Sequence, residues 1–176
     1  MTEQYRAIPL LDEHRTVYFS CGYEHLDRWL DRNAKAEQNL GKSATHVWID
    51  DDDMVLAYFT LLQTTIREGD GSIFGRIRPP GFPRKHELPG VLIGKLALDQ
   101  SLRGQDLGYD LLADAYFTSC EAVTLIGGAV LVVDPMNETI AGFYREFGFK
   151  DIQGSDRMFL NFREFNKGTP LVDSGA

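Results

Sequence analysis

The chain has 176 residues, 43% apolar and 25% charged, with 26 acidic against 18 basic side chains and a formal net charge of −8. That length and apolar content suffice for one domain with a sizeable core, and the longest apolar stretches, such as 127–133, are far too short to span a bilayer. The excess of acid argues against a general nucleic-acid binder, whose phosphate contacts demand a basic face.

The N-terminus Met1-Thr2-Glu3-Gln4 lacks the basic and then apolar pattern of a secretory signal. Two cysteines, Cys21 and Cys120, have no framework spacing and read as reduced thiols of a cytoplasmic protein. From Glu24 to Leu40, Leu26, Trp29, Leu30, Ala34, Ala36 and Leu40 make an imperfect helical stripe, with Gly41 placed to end it. Thr45 to Ile49 reads as a strand, the acidic run Asp50 to Asp53 as its turn, and Met54 to Ile66 as the returning strand of a hairpin. The next segment carries Gly69, Gly71, Gly75, Pro79, Pro80, Gly81, Pro83, Pro89 and Gly90. Its prolines exclude a central strand and a helix interior, so a long irregular loop is expected.

Gly90 to Asp99 resumes as a strand, Gln105 to Leu125 as a helix, and Ala129 to Val133 as a strand buried on both faces. Asn137 to Phe147 forms a short helix ended by Gly148, and Phe149 to Ile152 and Met158 to Phe162 close the sheet. The order predicts a mixed α/β sheet. Residues 1–166 are expected to form the single domain and 167–176 a frayed tail. Nothing in the spacing suggests a metal site.

Between Leu92 and Leu112 an apolar strand feeds a turn containing Arg103, Gly104 and Gly108, and then an amphipathic run with Leu107, Leu111 and Leu112. A strand, a glycine-bearing turn and a helix start form a phosphate cradle, because the turn offers unpaired N–H groups and the helix adds partial positive charge. From Arg76 to Lys95 five basic residues, Arg76, Arg78, Arg84, Lys85 and Lys95, face one acid, Glu87. A local basic patch and a solvated Arg-rich loop explain that stretch equally well.

Here the chain, from about Phe19 to Phe162, resembles the GNAT acetyl-CoA-dependent N-acetyltransferases. That family marks its pyrophosphate loop with Gln or Arg, two residues, Gly, one residue, then Gly or Ala. Arg103-Gly104-Gln105-Asp106-Leu107-Gly108 matches at Arg103 and Gly108, with Asp106 where the middle glycine is expected. Capping and the helix dipole favour a carboxylate there, whereas a pyrophosphate would meet a like charge and lose the close approach that glycine allows. The distal Gly142-Phe143-Tyr144-Arg145-Glu146-Phe147-Gly148-Phe149 is the second point of similarity.

The resemblance implies a GNAT fold, a twisted mixed sheet of six to seven strands flanked by helices, with acetyl-CoA as cofactor. It implies backbone contacts to pantetheine from Leu96, Ala97 and Leu98, and a pyrophosphate site at Arg103, Gly104, Gln105, Asp106, Leu107, Gly108 and Tyr109. It further implies cofactor contacts from Asn137 and Phe143, and Tyr144 as the acid that protonates the departing thiolate. A helix cap is the equally simple reading of Asn137, and a core position with its hydroxyl at the surface is the plain reading of Tyr144. Asp99 and Glu87 are conceivable bases, but an α-amine with a pKa of about 8 needs none.

Phe19-Ser20-Cys21-Gly22 through Leu26-Asp27-Arg28-Trp29-Leu30, Ser43-Ala44-Thr45, and Pro89 to Asp99 narrow the likeness. These segments look like the GNAT toxins of bacterial toxin–antitoxin pairs. Those toxins acetylate the α-amine of aminoacyl-tRNA, are usually dimeric and are neutralised by a ribbon-helix-helix antitoxin. The resemblance then makes Arg76, Arg78, Arg84, Lys85 and Lys95 the surface that meets tRNA, a chemistry for which Arg is suited. A GNAT enzyme for a small amine or a protein N-terminus is the alternative, since an acidic surface suits a cationic substrate. A catalytically idle acyl-CoA-binding regulator is the third.

Overall fold

The computed structural model describes residues 5–67, 80–81, 83, 87–152 and 154–163. In chain order they form β1 (Ile8–Pro9), α1 (Glu24–Arg32), α2 (Ala34–Asn39), β2 (Ala44–Ile49), β3 (Val55–Ile66) and β4 (Leu88–Leu98). A single 3-10 turn (Gln100–Leu102) follows, then α3 (Leu107–Ile126), β5 (Val130–Val133), α4 (Glu138–Phe147), β6 (Lys150–Asp151) and β7 (Met158–Asn161). The strands make one mixed seven-stranded sheet in the order β1-β2-β3-β4-β5-β7-β6. The chain divides into two compact units, one of Met1–Leu62 with Ile93–Thr118, the other of Gln63–Leu92 with Ser119–Ala176.

In the first unit β1, β2 and β3 pair antiparallel, with Ile8 opposite Val47 and Thr45 opposite Thr60. Leu26 and Leu30 lie four apart on one face of α1, and Ala34 follows at the same spacing at the start of α2. That face is buried on Val47, Tyr58 and Ala97 of the strands. At about 25 cal/mol per Å2 of apolar surface, each buried leucine contributes roughly 2 kcal/mol. The Tyr58 hydroxyl donates to the Leu26 carbonyl at 3.0 Å, which satisfies the polar end of a fully buried ring. The expected single helix from Glu24 to Leu40 is instead two helices meeting at Asn33, whose backbone N–H closes α1 on the Trp29 carbonyl.

In the second unit β5 is buried at all four positions, as its uninterrupted apolar run requires. It pairs antiparallel with β7, Val130 opposite Asn161, and β7 pairs with β6. Ile66, Leu88, Val130, Val132, Ile152 and Phe159 form the core. Pro89, expected in the loop, stands second in β4. It is tolerated there because it is exposed and contributes its carbonyl, which accepts from the Ala129 N–H at 2.8 Å. The two-residue β1 had no sequence signature, being shorter than any readable alternation. The 167–176 segment and most of the Gly- and Pro-rich loop lie outside the described residues.

Candidate functional site

The strand–turn–helix expected of a phosphate cradle is present in the first unit. β4 ends at Leu98, the chain makes the 3-10 turn, and Arg103 to Asp106 lead exposed into the twenty-residue α3. Gly104 has φ +75 and Asp106 has φ +56, with Gln105 between them at ordinary negative φ. Left-handed residues next to ordinary ones are the backbone conformations from which anion-binding nests are built. Nothing lies within 4 Å of the place a side chain would occupy at Gly104. The Leu107 and Gly108 N–H groups at the start of α3 have no acceptor within the helix, whereas the Tyr109 N–H reaches the Asp106 carbonyl at 3.3 Å. The local backbone therefore fits a diphosphate. Asp106 opposes it in two ways, since it carries negative charge and since its side chain denies the close approach that glycine allows. Its left-handed φ also delays the helix start to Leu107, two residues after the expected Gln105.

Leu96, Ala97 and Leu98 occupy the last positions of β4, with Ala97 in the core and both leucines half-buried. The Asp99 N–H returns to the Leu56 carbonyl at 2.8 Å, fixing that end of β4 on β3. Leu107, Gly108 and Tyr109 are half-buried in the first turn of α3.

Asp99 is no free base. Its carboxylate accepts from the Ser20 N–H at 2.8 Å and the Ser101 N–H at 2.9 Å. Burial works against its charge, yet those two donors and the nearby Arg103 cation outweigh it and hold the carboxyl below the usual range. Glu87, in the second unit, is paired with Arg67 at 2.7 Å.

The Arg103 guanidinium donates to the carbonyl of Cys21, 82 positions earlier. The Cys21 N–H in turn donates to Asp27 of α1 at 2.9 Å. The Cys21 thiol is buried, and burial, reinforced by Asp27, pushes it up to about 11, so it is a neutral thiol and no acyl carrier. Sequence reasoning missed this use of Arg103, Cys21 and Asp27. Its only local signal is Gly22, at φ +88, ahead of an acidic first helical turn.

Lys95 sits on β4 one residue before Leu96, with its ammonium 4.2 Å above the Trp29 ring. Arg76, Arg78, Arg84 and Lys85 lie outside the described residues.

The second unit holds Asn137, Phe143 and Tyr144. Asn137 caps α4, its side-chain oxygen accepting from the Ile140 N–H at 3.0 Å, so the plain reading of that residue is realised. Tyr144 is 7% exposed, its ring edge-on to Phe143 at 5.4 Å and to Phe149 at 5.3 Å. Gly148, at φ 121, makes that packing possible by turning the chain so that the Phe149 N–H reaches the Tyr144 carbonyl at 3.0 Å. No described residue hydrogen-bonds the Tyr144 hydroxyl, and burial alone pushes it up to about 12. The phenol is thus a neutral donor across the physiological range.

No protein-family model matches the chain. A tRNA-acetylating toxin of Mycobacterium tuberculosis (strain ATCC 25618 / H37Rv) is 30% identical over 149 residues, covering 85% of this chain and 86% of the relative. Among solved structures, AtaT complexed with acetyl-methionyl-tRNAfMet aligns at a TM-score of 0.80 and 22% identity, over 92% of this chain and 96% of that one. A tyrosine-to-phenylalanine mutant of AtaT, bound to the C-terminus of the antitoxin AtaR and acetyl-CoA, aligns at 0.75 and 22% identity, over 94% and 98%.

Proposed function

The chain belongs to the tRNA-acetylating toxins, which are GNAT acetyltransferases, and on that premise we propose that it transfers an acetyl group from acetyl-CoA to the α-amine of aminoacyl-tRNA. The observation that carries this reading is the exposed turn from Arg103 to Asp106, with left-handed Gly104 and Asp106, leading into the start of α3. The likeness to AtaT, solved with an acetylated aminoacyl-tRNA and with acetyl-CoA, supports both substrates.

In this reading the turn and helix start, Gly104 to Tyr109, would hold the diphosphate, and the main chain of Leu96 to Leu98 would hold pantetheine. Asn137 and Phe143 add contacts. Acetyl-CoA supplies the activated thioester. The acceptor amine has a pKa of about 8 and reaches its neutral form without a base, which agrees with Asp99 and Glu87 both being engaged elsewhere. Tyr144 holds its proton and delivers it to the leaving thiolate sulfur as the C–S bond breaks, and the proton lost from the acceptor nitrogen restores the phenol through solvent. A neutral phenol packed between two phenylalanines is fixed for that task without a hydrogen-bond partner to release first. Lys95, with Arg76, Arg78, Arg84 and Lys85, meets the tRNA phosphates.

The reading extends to a single catalytic domain over residues 1–166, a dimer, and action in the cytoplasm where aminoacyl-tRNA is used. Among the described residues no helix is long and apolar enough to cross a membrane. A ribbon-helix-helix antitoxin is the proposed neutralising partner, in keeping with the AtaT–AtaR complex. Expression of the chain alone should arrest growth, and mass spectrometry of the tRNA pool should find N-acetylated aminoacyl ends. Unmodified tRNA in arrested cells refutes the proposal.

A further inference from the structure

We propose that Arg103 is a positioning residue that couples the cofactor loop to α1, and that it acts through the Cys21 carbonyl rather than on the cofactor phosphates. The inference rests on the functional reading above and assigns a different task to one side chain within it.

Three hydrogen bonds tie Ser20 and Cys21 to the turn after β4. The Ser20 N–H donates to the Asp99 carboxylate at 2.8 Å, and the Gln100 N–H donates to the Ser20 carbonyl at 2.9 Å. The Arg103 guanidinium donates to the Cys21 carbonyl. Gly22 leaves room for both side chains of that turn, since a Cβ there would lie 2.8 Å from Arg103 Nη2 and 2.9 Å from Gln100 Nε2 and would displace them. The path continues through the same peptide segment, because the Cys21 N–H is held by Asp27 on the first turn of α1.

α1 is the helix whose Trp29 lies under Lys95, and Lys95 immediately precedes Leu96 to Leu98. With the thioester along those residues, as proposed above, α1 and the turn after β4 flank the same end of the strand. A guanidinium committed to a carbonyl 82 positions away is therefore placed to set α1 against the cofactor loop. Its planar fork suits a fixed geometry, and a lysine in its place would keep one donor and lose the orientation.

The test compares Arg103→Met, Arg103→Lys and Gly22→Ala in the full chain, with acetyl-CoA binding by calorimetry and steady-state acetylation of a charged bulk tRNA pool. Arg103→Met and Gly22→Ala should each leave the acetyl-CoA Kd within about twofold. Each should lower kcat for the tRNA pool about tenfold, and the double variant should be no worse than the poorer single one, because both break one seam. Arg103→Lys should recover part of kcat. Arg103 is exposed, so its variants should keep the wild-type melting temperature even where Gly22→Ala, strained at positive φ, does not. A tenfold weaker acetyl-CoA Kd in Arg103→Met makes Arg103 a phosphate ligand and overturns the proposal. Unchanged kcat, or additive losses, overturns it as well. If the wild type neither binds acetyl-CoA nor acetylates the pool, the functional reading falls first and takes this role with it. An active wild type with unaffected variants refutes the coupling alone.

Discussion

The Lys95 ammonium lies 4.2 Å above the ring of Trp29, and the same indole donates its Nε1–H to Glu37 at 3.3 Å. Trp29 also stacks on Tyr58 at 6.0 Å, so the ring is gripped on several sides. Lys95 forms no ion pair with a described carboxylate, and its charge is steadied by the π face and the more distant Glu37. Burial lowers the lysine's pKa, and Glu37 opposes that shift. Such a cation keeps its N–H donors available to an incoming anion.

Lys95→Met keeps the apolar stem over Trp29 and removes only the charge. It should raise KM for charged tRNA several-fold and reduce the salt dependence of kcat/KM by about one phosphate contact. Acetyl-CoA affinity should stay within about twofold. Steady-state assays from low to moderate salt read this out, and an unchanged salt slope removes Lys95 from the RNA contact.

Asp106→Gly, at φ +56, should bind acetyl-CoA several-fold more tightly, because it removes a like charge and the side chain that keeps the diphosphate from a close approach. Asp106→Asn separates the two, since Asn tolerates the left-handed region and carries no charge. It should recover the electrostatic part alone. Calorimetry with acetyl-CoA decides, and an unchanged or weaker affinity in Asp106→Gly counts against a diphosphate at this turn.

Tyr144→Phe leaves the packing on Phe143 and Phe149 intact and removes a hydroxyl with no described partner. Stability and acetyl-CoA Kd should therefore change little, while kcat falls about 100-fold or more, the usual worth of a general acid. Thiol release from acetyl-CoA measures the rate. Retention of wild-type kcat reassigns Tyr144 to the core.

The pH profile should show one limb. The rate should rise up to about pH 8 as the acceptor amine loses its proton, then stay level to about pH 11, because burial pushes Tyr144 up to about 12. Stability runs the opposite way. Above about pH 10 an unfolded tyrosine loses a proton that the folded one keeps, so the native state binds more protons and stability falls as pH rises. One such group contributes at most about 1.4 kcal/mol per pH unit between those values. Urea titrations from pH 9 to 11 should show a shallower decline for Tyr144→Phe than for the wild type.

Much of the architecture was legible in the residues. β5 announced itself as a continuous apolar run, α4 as a helix between Asn137 and Gly148, and the β4–turn–α3 unit by glycines after an apolar strand. The break at Asn33 was not legible, because Leu26, Leu30 and Ala34 keep one helical phase across it. Pro89 misled because a proline is excluded from a strand only where its missing N–H is needed, and that is a fact about neighbours.

The sequence by itself determined the strand–turn–helix that can cradle a diphosphate and the Gly142 to Phe149 pattern that packs Tyr144, since both depend on near neighbours along the chain. The tertiary structure decided what the charged side chains do. Arg103, read as part of the phosphate loop, is bonded to a carbonyl 82 positions away, and Lys95, read as one of a basic stretch, lies over Trp29. Backbone conformation follows local sterics, whereas a long flexible cation is fixed only by the acceptors and rings that folding brings within its reach.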